Sequence, residues 1–393
     1  MNWERTWKSL WVCGRAVCFG LRAPWGLVFR VVGVVCLALG AIAAGAADAG
    51  SGRPLRVGFV ISSEEAFRAS LRRGAELAAA RFNATSTRPL QLVIREGAGQ
   101  WGADGDLAGR LAIDDEVGVL ISPPGALAAH QVLQVAGRTQ IPVISLNGDD
   151  GVFGARIPWM VSLVPGVLEE LRLLVGNGGG RGRGPGRWRV LVSSAREESE
   201  LRRVLGLARE RDGWEGIEMT VADVGPGGVR RLEPEPKLAA GARELVEKRF
   251  EGVVLWLDPD PAMRWAIELR RAGFAGVVGG RSWLRSPHFL LSAGEAARGF
   301  RVVTQRGAGD MGAFPAELRG LDAAGAAAYD AVGLAVSVLL RAGDKPAHQV
   351  FPLPELGSGL TGRWRFDGSG RREDELRLEA WDGSAWGGVK EGR

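Results

Sequence analysis

Residues 118–150 read GVLISPPGALAAHQVLQVAGRTQIPVISLNGDD. The stretch divides into an apolar run at 117–121, a tight turn at Ser122-Pro123-Pro124-Gly125, a helical segment from Ala126 to about Arg138, and a second apolar run at 141–145. Both runs are short and bounded by Gly and Pro, which is how strands buried on both faces of a parallel sheet look in sequence. Ligands of such sheets sit beyond the carboxyl ends of the strands. Those ends are residues 122–126 and 145–150, two small-residue loops side by side. The first opens a helix, whose free backbone N–H groups can hold a carboxylate.

Outward from this stretch the same alternation continues. Upstream, 55–61 (LRVGFVI) is a first strand ended by Ser62 and Ser63. Residues 64–83 then place Phe67, Leu71, Ala75, Ala78 and Phe82 on one helical face, with Ser63 as the expected N-cap. A strand at 90–95, a loop at 96–105 and a helix to about Asp115 lead into the quoted stretch, giving βαβαβαβ with right-handed crossovers. Downstream, a strand at 159–164 and Pro165 at a helix start close this half, and the pattern begins afresh. Strands are expected at 188–193, 217–221, 252–257 and 276–278, alternating with helices near 196–211, 237–250 and 260–272. A strand at 300–304, an Ala-rich helix at 322–341 and a Pro-rich connection at 345–354 follow. The segments 362–370 and 376–381 read as a β-hairpin with Asp-Gly punctuation. A chain of 393 residues exceeds one ordinary α/β core, so two doubly wound lobes are expected.

The first fifty residues read differently. Arg5, Lys8, Arg15, Arg22 and Arg30 precede an apolar run at 31–44, and Ala44-Gly45-Ala46 has the small-residue spacing of a cleavage site. The run is 14 residues, short of the roughly 20 that cross a bilayer, so residues 1–46 are expected to be a secretory signal peptide, with an uncleaved anchor as the alternative. Cys13, Cys18 and Cys36 are the only cysteines and all fall inside it, leaving the mature chain without disulfide, Cys-ligated metal or Cys nucleophile. Removing it takes five of the 50 basic and one of the 45 acidic residues, leaving 45 against 44. That near-neutral balance gives no electrostatic argument for nucleic acid.

Catalytic and cofactor chemistry finds little support. Gly97-Ala98-Gly99-Gln100-Trp101-Gly102 matches a dinucleotide-binding glycine pattern but follows the second strand rather than the first. Asp114, Asp115 and Glu116 are nearer to it than a ribose-binding acid usually is. Gly307 to Gly312 matches too, a measure of how weak the pattern is among 59 glycines. His130, His288 and His348 lie far apart without ligand spacing, and there is neither a nucleophile elbow nor a phosphate-binding loop. The glycine-rich tract at 176–186 reads as a solvated loop. No enzyme, cofactor or metal is expected.

Several pieces in order carry a resemblance: Arg56-Val57-Gly58-Phe59-Val60 with Gly74-Ala75-Glu76, Ile141-Pro142-Val143-Ile144-Ser145, the helix from Pro261 to Gly273 ending Leu-Arg-Arg-Ala-Gly, Ala328-Tyr329-Asp330-Ala331-Val332, and the run from Leu360 to Gly368. Over residues 54–390 the chain resembles the branched-chain amino acid binding proteins of ABC transporters, which have the type I periplasmic binding protein fold. The resemblance implies lobe 1 at 54–164 and 307–361, lobe 2 at 165–306 and 362–393, and hinge crossings near 161–165, 304–309 and 360–365. It implies closure on a small amino acid-like solute, a membrane permease as partner, a monomer, and a periplasmic or extracytoplasmic location.

It also implies site residues. The loop holding Gly125 and Ala126 would take the ligand carboxylate, where the family has a Ser or Thr hydroxyl. The loop from Asn147 to Asp149 would take the ammonium, and Phe67 would line the side-chain pocket. From the second lobe the family brings an aromatic hydroxyl near Asp258-Pro259 and an acid where Arg281 stands. Ala126 offers only backbone donors, and Arg281 replaces an acid with a cation. Arg281 therefore either reads an extra anionic group on the ligand, or is a rim residue paired with Asp258 or Asp260. A diverged pocket serving a sensing or interaction role is the further alternative.

Overall fold

The structure is a computed structural model that describes residues 53–62, 67–97, 102–149, 157–176, 186–193, 195–212, 214–222, 235–305, 315–351, 355–373 and 376–389. The expected signal peptide, Ser63, much of the glycine pattern at 97–102, most of the 176–186 tract and the second glycine pattern lie outside the described residues.

The first half builds β1 (Leu55–Ile61), α1 (Arg68–Thr85), β2 (Leu90–Glu96), α2 (Ala103–Ile113), β3 (Val119–Ser122), α3 (Ala126–Thr139), β4 (Val143–Ser145) and β5 (Met160–Ser162). The five strands are all parallel, in the order β2-β1-β3-β4-β5. Alternation along β1 divides its side chains between two cores. Val57, Phe59 and Ile61 face one layer with Leu71 and Ala75 of α1, whereas Val60 faces Ala108 and Leu111 of α2 and Ala129 and Val132 of α3. The sheet is thus covered on both faces, which is why its strands read as continuous apolar runs.

The second half continues with α4 (Val167–Gly176), β6 (Trp188–Val192), α5 (Ala195–Asp212), β7 (Ile217–Val221), α6 (Glu235–Glu247), β8 (Gly252–Trp256), α7 (Pro259–Arg271), β9 (Val277–Gly280), a 3-10 turn at Ser282–Leu284, α8 (Pro287–Ala293), a further 3-10 turn at Gly294–Ala297 and β10 (Arg301–Gln305). Its seven-stranded sheet has the order β14-β13-β10-β9-β8-β6-β7, in which β13 (Leu376–Trp381) runs antiparallel to both its neighbours, β10 and β14 (Trp386–Gly388). Leu238, Ala266, Leu269 and Phe289 cover one face, and Leu171, Leu174, Leu201 and Val204 the other.

Between β10 and β13 the chain returns to the first sheet through α9 (Ala316–Arg319), α10 (Ala323–Ala342), β11 (Glu355–Gly359) and β12 (Gly362–Arg365). Helix α10 is long and apolar enough to cross a membrane by length and composition, yet Leu334, Ala335 and Val338 are wholly buried against the first sheet. Asp322 caps it by accepting from the Gly325 N–H at 2.9 Å. It crosses α1 where Gly74 meets Gly325: a Cβ on Gly74 would come within 2.0 Å of the Gly325 carbonyl oxygen. Any larger residue at Gly74 forces the two helices apart.

Two expectations change. The C-terminal segments do not form one hairpin: β12 pairs with β11 in a separate two-stranded sheet, and β13 pairs with β10 and β14. Asp367-Gly368 closes only the Phe366–Arg372 bridge, and the hairpin turn is at Asp382-Gly383. Alternation identifies a strand but not its partner, which here is set by packing: Trp364 and Phe366 lie in the first sheet's core. The boundary expected between residues 361 and 362 thus falls at the β11–β12 turn, with first-core residues beyond it. Second, α1 begins at Arg68, with Phe67 at the N-cap position and no side-chain cap bond.

Candidate functional site

The carboxyl ends of β3, β4 and β5 carry a row of serines in register, Ser122 beside Ser145 beside Ser162. All three are buried, so each hydroxyl needs a partner. Ser122 Oγ donates to Ser145 Oγ at 3.0 Å, and Ser145 Oγ accepts from the Asn147 N–H at 3.1 Å. Ser162 Oγ lies 3.1 Å from the Asn147 carbonyl and 2.9 Å from that of Val164. The row fixes where the loops leave the sheet.

Asn147 joins the two loops. Its Nδ2 donates to the Pro124 carbonyl, and its Oδ1 accepts from the Asp149 N–H at 2.7 Å. Its amide therefore shapes the wall rather than pointing at a solute. Gly148 lies so close to the first passage between the sheets that a Cβ would stand 2.0 Å from the Pro165 carbonyl oxygen. Gly125 is the N-cap residue of α3 in extended backbone and has no side-chain cap bond, and Ala126 is half-buried beside it. Asp149 is buried and forms an ion pair at 3.3 Å with Arg203 of α5, on the second sheet.

Of the residues expected from the second half, Asp258 is half-buried at the start of α7 and Arg281 stands just beyond β9. The Arg281 guanidinium lies 5.0 Å from the Trp256 ring centre, a cation–π distance. Its charge faces Glu170 of α4. Burial pushes the Glu170 carboxyl up to about 7, against the pull of Arg281 and of hydrogen bonds from the Ser282 side chain and backbone. The rim pairing of Arg281 with Asp260 considered from sequence is not formed: Asp260 is 2.8 Å from His288.

Phe67 meets the other sheet directly. Its ring centre is 5.8 Å from that of Trp283, which extends from the 3-10 turn after β9 into the first sheet's core and is only 6% exposed. The structure thus brings Gly125, Ala126, Asn147 and Asp149 together on one wall, and Asp149 and Phe67 each meet a residue of the second sheet.

Sequence reasoning missed Ser162, Glu170, Arg203 and Trp283. A signal existed for Glu170: it stands three residues after Val167 and four before Leu174, on the apolar stripe of α4. Arg203 and Trp283 are partners across more than fifty residues of chain, and no local pattern marks such pairs.

Three comparisons bear on this arrangement. No family model matches the chain, and no curated protein matches it. Solved structures do. The branched-chain amino acid transporter substrate-binding protein LivJ from Streptococcus pneumoniae, in complex with isoleucine, is 15% identical, with 86% of this chain and 99% of that chain covered and a TM-score of 0.68. A leucine-binding protein LivK from Thermotoga maritima is 11% identical over 86% of this chain and 98% of that chain, with a TM-score of 0.65. A solute-binding protein of an ABC transporter from R. palustris, in complex with benzoate, is 15% identical over 86% and 96%, with a TM-score of 0.67. At these identities the likeness is one of fold. The chain has the type I periplasmic binding protein fold, the architecture of branched-chain amino acid ABC transporter substrate-binding proteins.

Proposed function

We propose that the chain is an extracytoplasmic solute-binding protein of an ABC-type uptake system, without enzymatic activity, which holds an amino acid or related small organic solute between two lobes. The observation that carries this reading is the meeting of the two sheets over their strand ends, Phe67 with Trp283 and Asp149 with Arg203. Contacts that exist only when the sheets approach are what a closing receptor needs, since a ligand shifts an equilibrium only by its difference in affinity for the two states. The hinge in this reading is the set of passages between the sheets, of which those at residues 162–165 and 366–372 are described; the third lies further along than the 360–365 expected from sequence, because Trp364 and Phe366 are in the first core. Secretion by residues 1–46, a membrane permease as partner and a monomeric state belong to the same proposal.

The test is a panel of amino acids and small carboxylates read by thermal shift and small-angle scattering. A ligand at a hundred times its Kd adds about 2.7 kcal/mol to stability, and a receptor also contracts on binding. Stabilisation without contraction, or no ligand from either class, would count against it.

A second reading, a sensing or interaction domain with a diverged pocket, is favoured by one observation. The charges best placed for a zwitterion are engaged within the protein, Asp149 by Arg203 and Arg281 beside Glu170 and Trp256. A ligand that contracts the chain while no permease is recruited would select it.

A further inference from the structure

Beside the loop edge, toward the passages, lies a cavity of about 150 Å³ bounded by Pro165, Trp283, Thr304, Ala323, Ala327 and Leu360. Its walls come from both halves: Thr304 is the last residue but one of β10, and the alanines belong to the first turns of α10, which packs on the first sheet. They are mostly apolar, and an apolar cavity of about this size takes a ligand as large as benzene.

Among the polar groups at its wall, which include Ser282, Arg285, Gln305, Asp322 and Thr361, the Thr304 hydroxyl stands apart. Thr304 is 5% exposed, and its Oγ1 has no hydrogen-bond partner. Strand alternation explains how it comes to point there. Thr304 shares the face of Val302, and pairing of β10 with β13 opposite Arg377 fixes its backbone. A buried hydroxyl left unpaired is costly, which calls for an oxygen or nitrogen to meet it.

The charges at the walls are already met. In charge, Arg285 is compensated by an ion pair at 3.1 Å with Glu379, although that contact is not a hydrogen bond, and Asp322 accepts from Ser70 and from the Gly325 N–H. A charged group placed here would find no uncompensated opposite charge, and burying it would be expensive.

We propose that this cavity is a subsite for the neutral, compact part of a solute, a single ring or short branched chain bearing one hydroxyl or carbonyl oxygen, with Thr304 as the residue that selects for that oxygen. This deepens the receptor reading and rests on it only in that the solute enters between the sheets.

The experiment titrates phenol, cyclohexanol and benzene into the full chain and into Thr304→Val and Ala327→Phe variants by calorimetry, with melting curves of each. Phenol and cyclohexanol bind the wild type saturably and more tightly than benzene by about 2- to 13-fold, the worth of one hydrogen bond. Thr304→Val removes that preference and leaves benzene binding unchanged, and Ala327→Phe abolishes binding of all three. Because Thr304→Val deletes an unpaired hydroxyl, its melting temperature without ligand is unchanged or raised; a fall would show the hydroxyl to be structural and overturn the assignment. Equal phenol affinity in all three proteins, or no binding of any neutral probe to the wild type, would overturn it as well. Should an amino acid contract the chain while neutral probes fail, this subsite falls and the receptor reading stands. Neutral probes that bind with the expected variant pattern but without contraction sustain the subsite and count against the receptor.

Discussion

Where the chain passes between its sheets, buried polar groups are matched. Arg372 donates to the carbonyls of Leu163, Thr361 and Arg363 and to the Thr361 hydroxyl, and Gln305 donates to Leu163 from the second passage. Asp330 of α10, wholly buried, accepts from the N–H groups of Leu360 and Thr361, both at 2.7 Å, and from the Thr361 hydroxyl. At the edge of the second sheet the same kinds of group are less well matched. Arg281 Nε and Thr304 Oγ1 are buried without hydrogen-bond partners, and burial pushes the Glu170 carboxyl up to about 7. Complete matching rigidifies, and incomplete matching is the usual mark of a surface that meets something else. In the proposed receptor reading, the contrast separates scaffold from binding face.

The largest expected effect tests the matched side. Asp330→Ala leaves two backbone N–H groups, a hydroxyl and the nearby Arg372 charge without their acceptor. Breaking a buried network of this kind costs about 3–5 kcal/mol, read as a lower denaturant midpoint. Asp330→Asn, which keeps an acceptor oxygen, should lose less. Burial raises the Asp330 pKa above its ordinary value, with the Thr361 and Leu360 hydrogen bonds and the Arg372 charge opposing. Equal, small losses in both variants would erase the contrast.

Next comes Glu170, where the sign of the pH dependence is diagnostic. Its folded pKa of about 7 lies above the ordinary 4.5, so the folded state binds the proton more tightly than the unfolded one. Its stabilising effect is complete below pH 4.5 and is lost as pH rises through about 7, a change on the order of 3 kcal/mol. Glu170→Gln should remove that component of the stability profile, gaining on the wild type as pH rises from 5 to 8. A variant whose profile parallels the wild type's would place Glu170 in a solvated setting.

Sequence carried the elements further than their meetings. The run LRVGFVI marks β1 at both ends because Pro54 and Ser62 bound it and both faces are buried. Likewise, the loops after β3 and β4 are legible as one edge because parallel strands put their carboxyl ends on the same side. The partner of β12, the placement of Trp283 in the opposite core and the bond from Asn147 to Pro124 are not legible, since each depends on tertiary distance rather than local period. Asn147 shows the limit: its position was foreseeable, but its amide is taken up in holding the wall together.

A smaller effect is expected at the serine row, which belongs with the matched side. Ser162→Ala leaves the Val164 N–H, now 3.3 Å from Ser162 Oγ, without this acceptor and removes the hydroxyl beside the Asn147 carbonyl. A loss of about 1–2 kcal/mol in chemical denaturation is expected. No loss would mean that water replaces the hydroxyl.

The smallest effect decides the most about the site. Arg203 is 54% exposed on its side chain, and Asp149 is 10% exposed. An ion pair so open to solvent is screened, so Arg203→Ala should change stability by less than about 1 kcal/mol, with the difference fading at high salt. A loss above about 2 kcal/mol would class this pair with the passages. If Asp149 serves a ligand's ammonium, Arg203 competes for the same carboxylate, and its removal should tighten binding of any amino acid that the thermal-shift panel identifies, read by calorimetry, while leaving the melting temperature nearly unchanged. Should Arg203 instead act by drawing the sheets together, the same substitution weakens binding and reduces the contraction seen by scattering. The two outcomes have opposite signs, so one variant tells whether this contact guards the open site or completes the closed one.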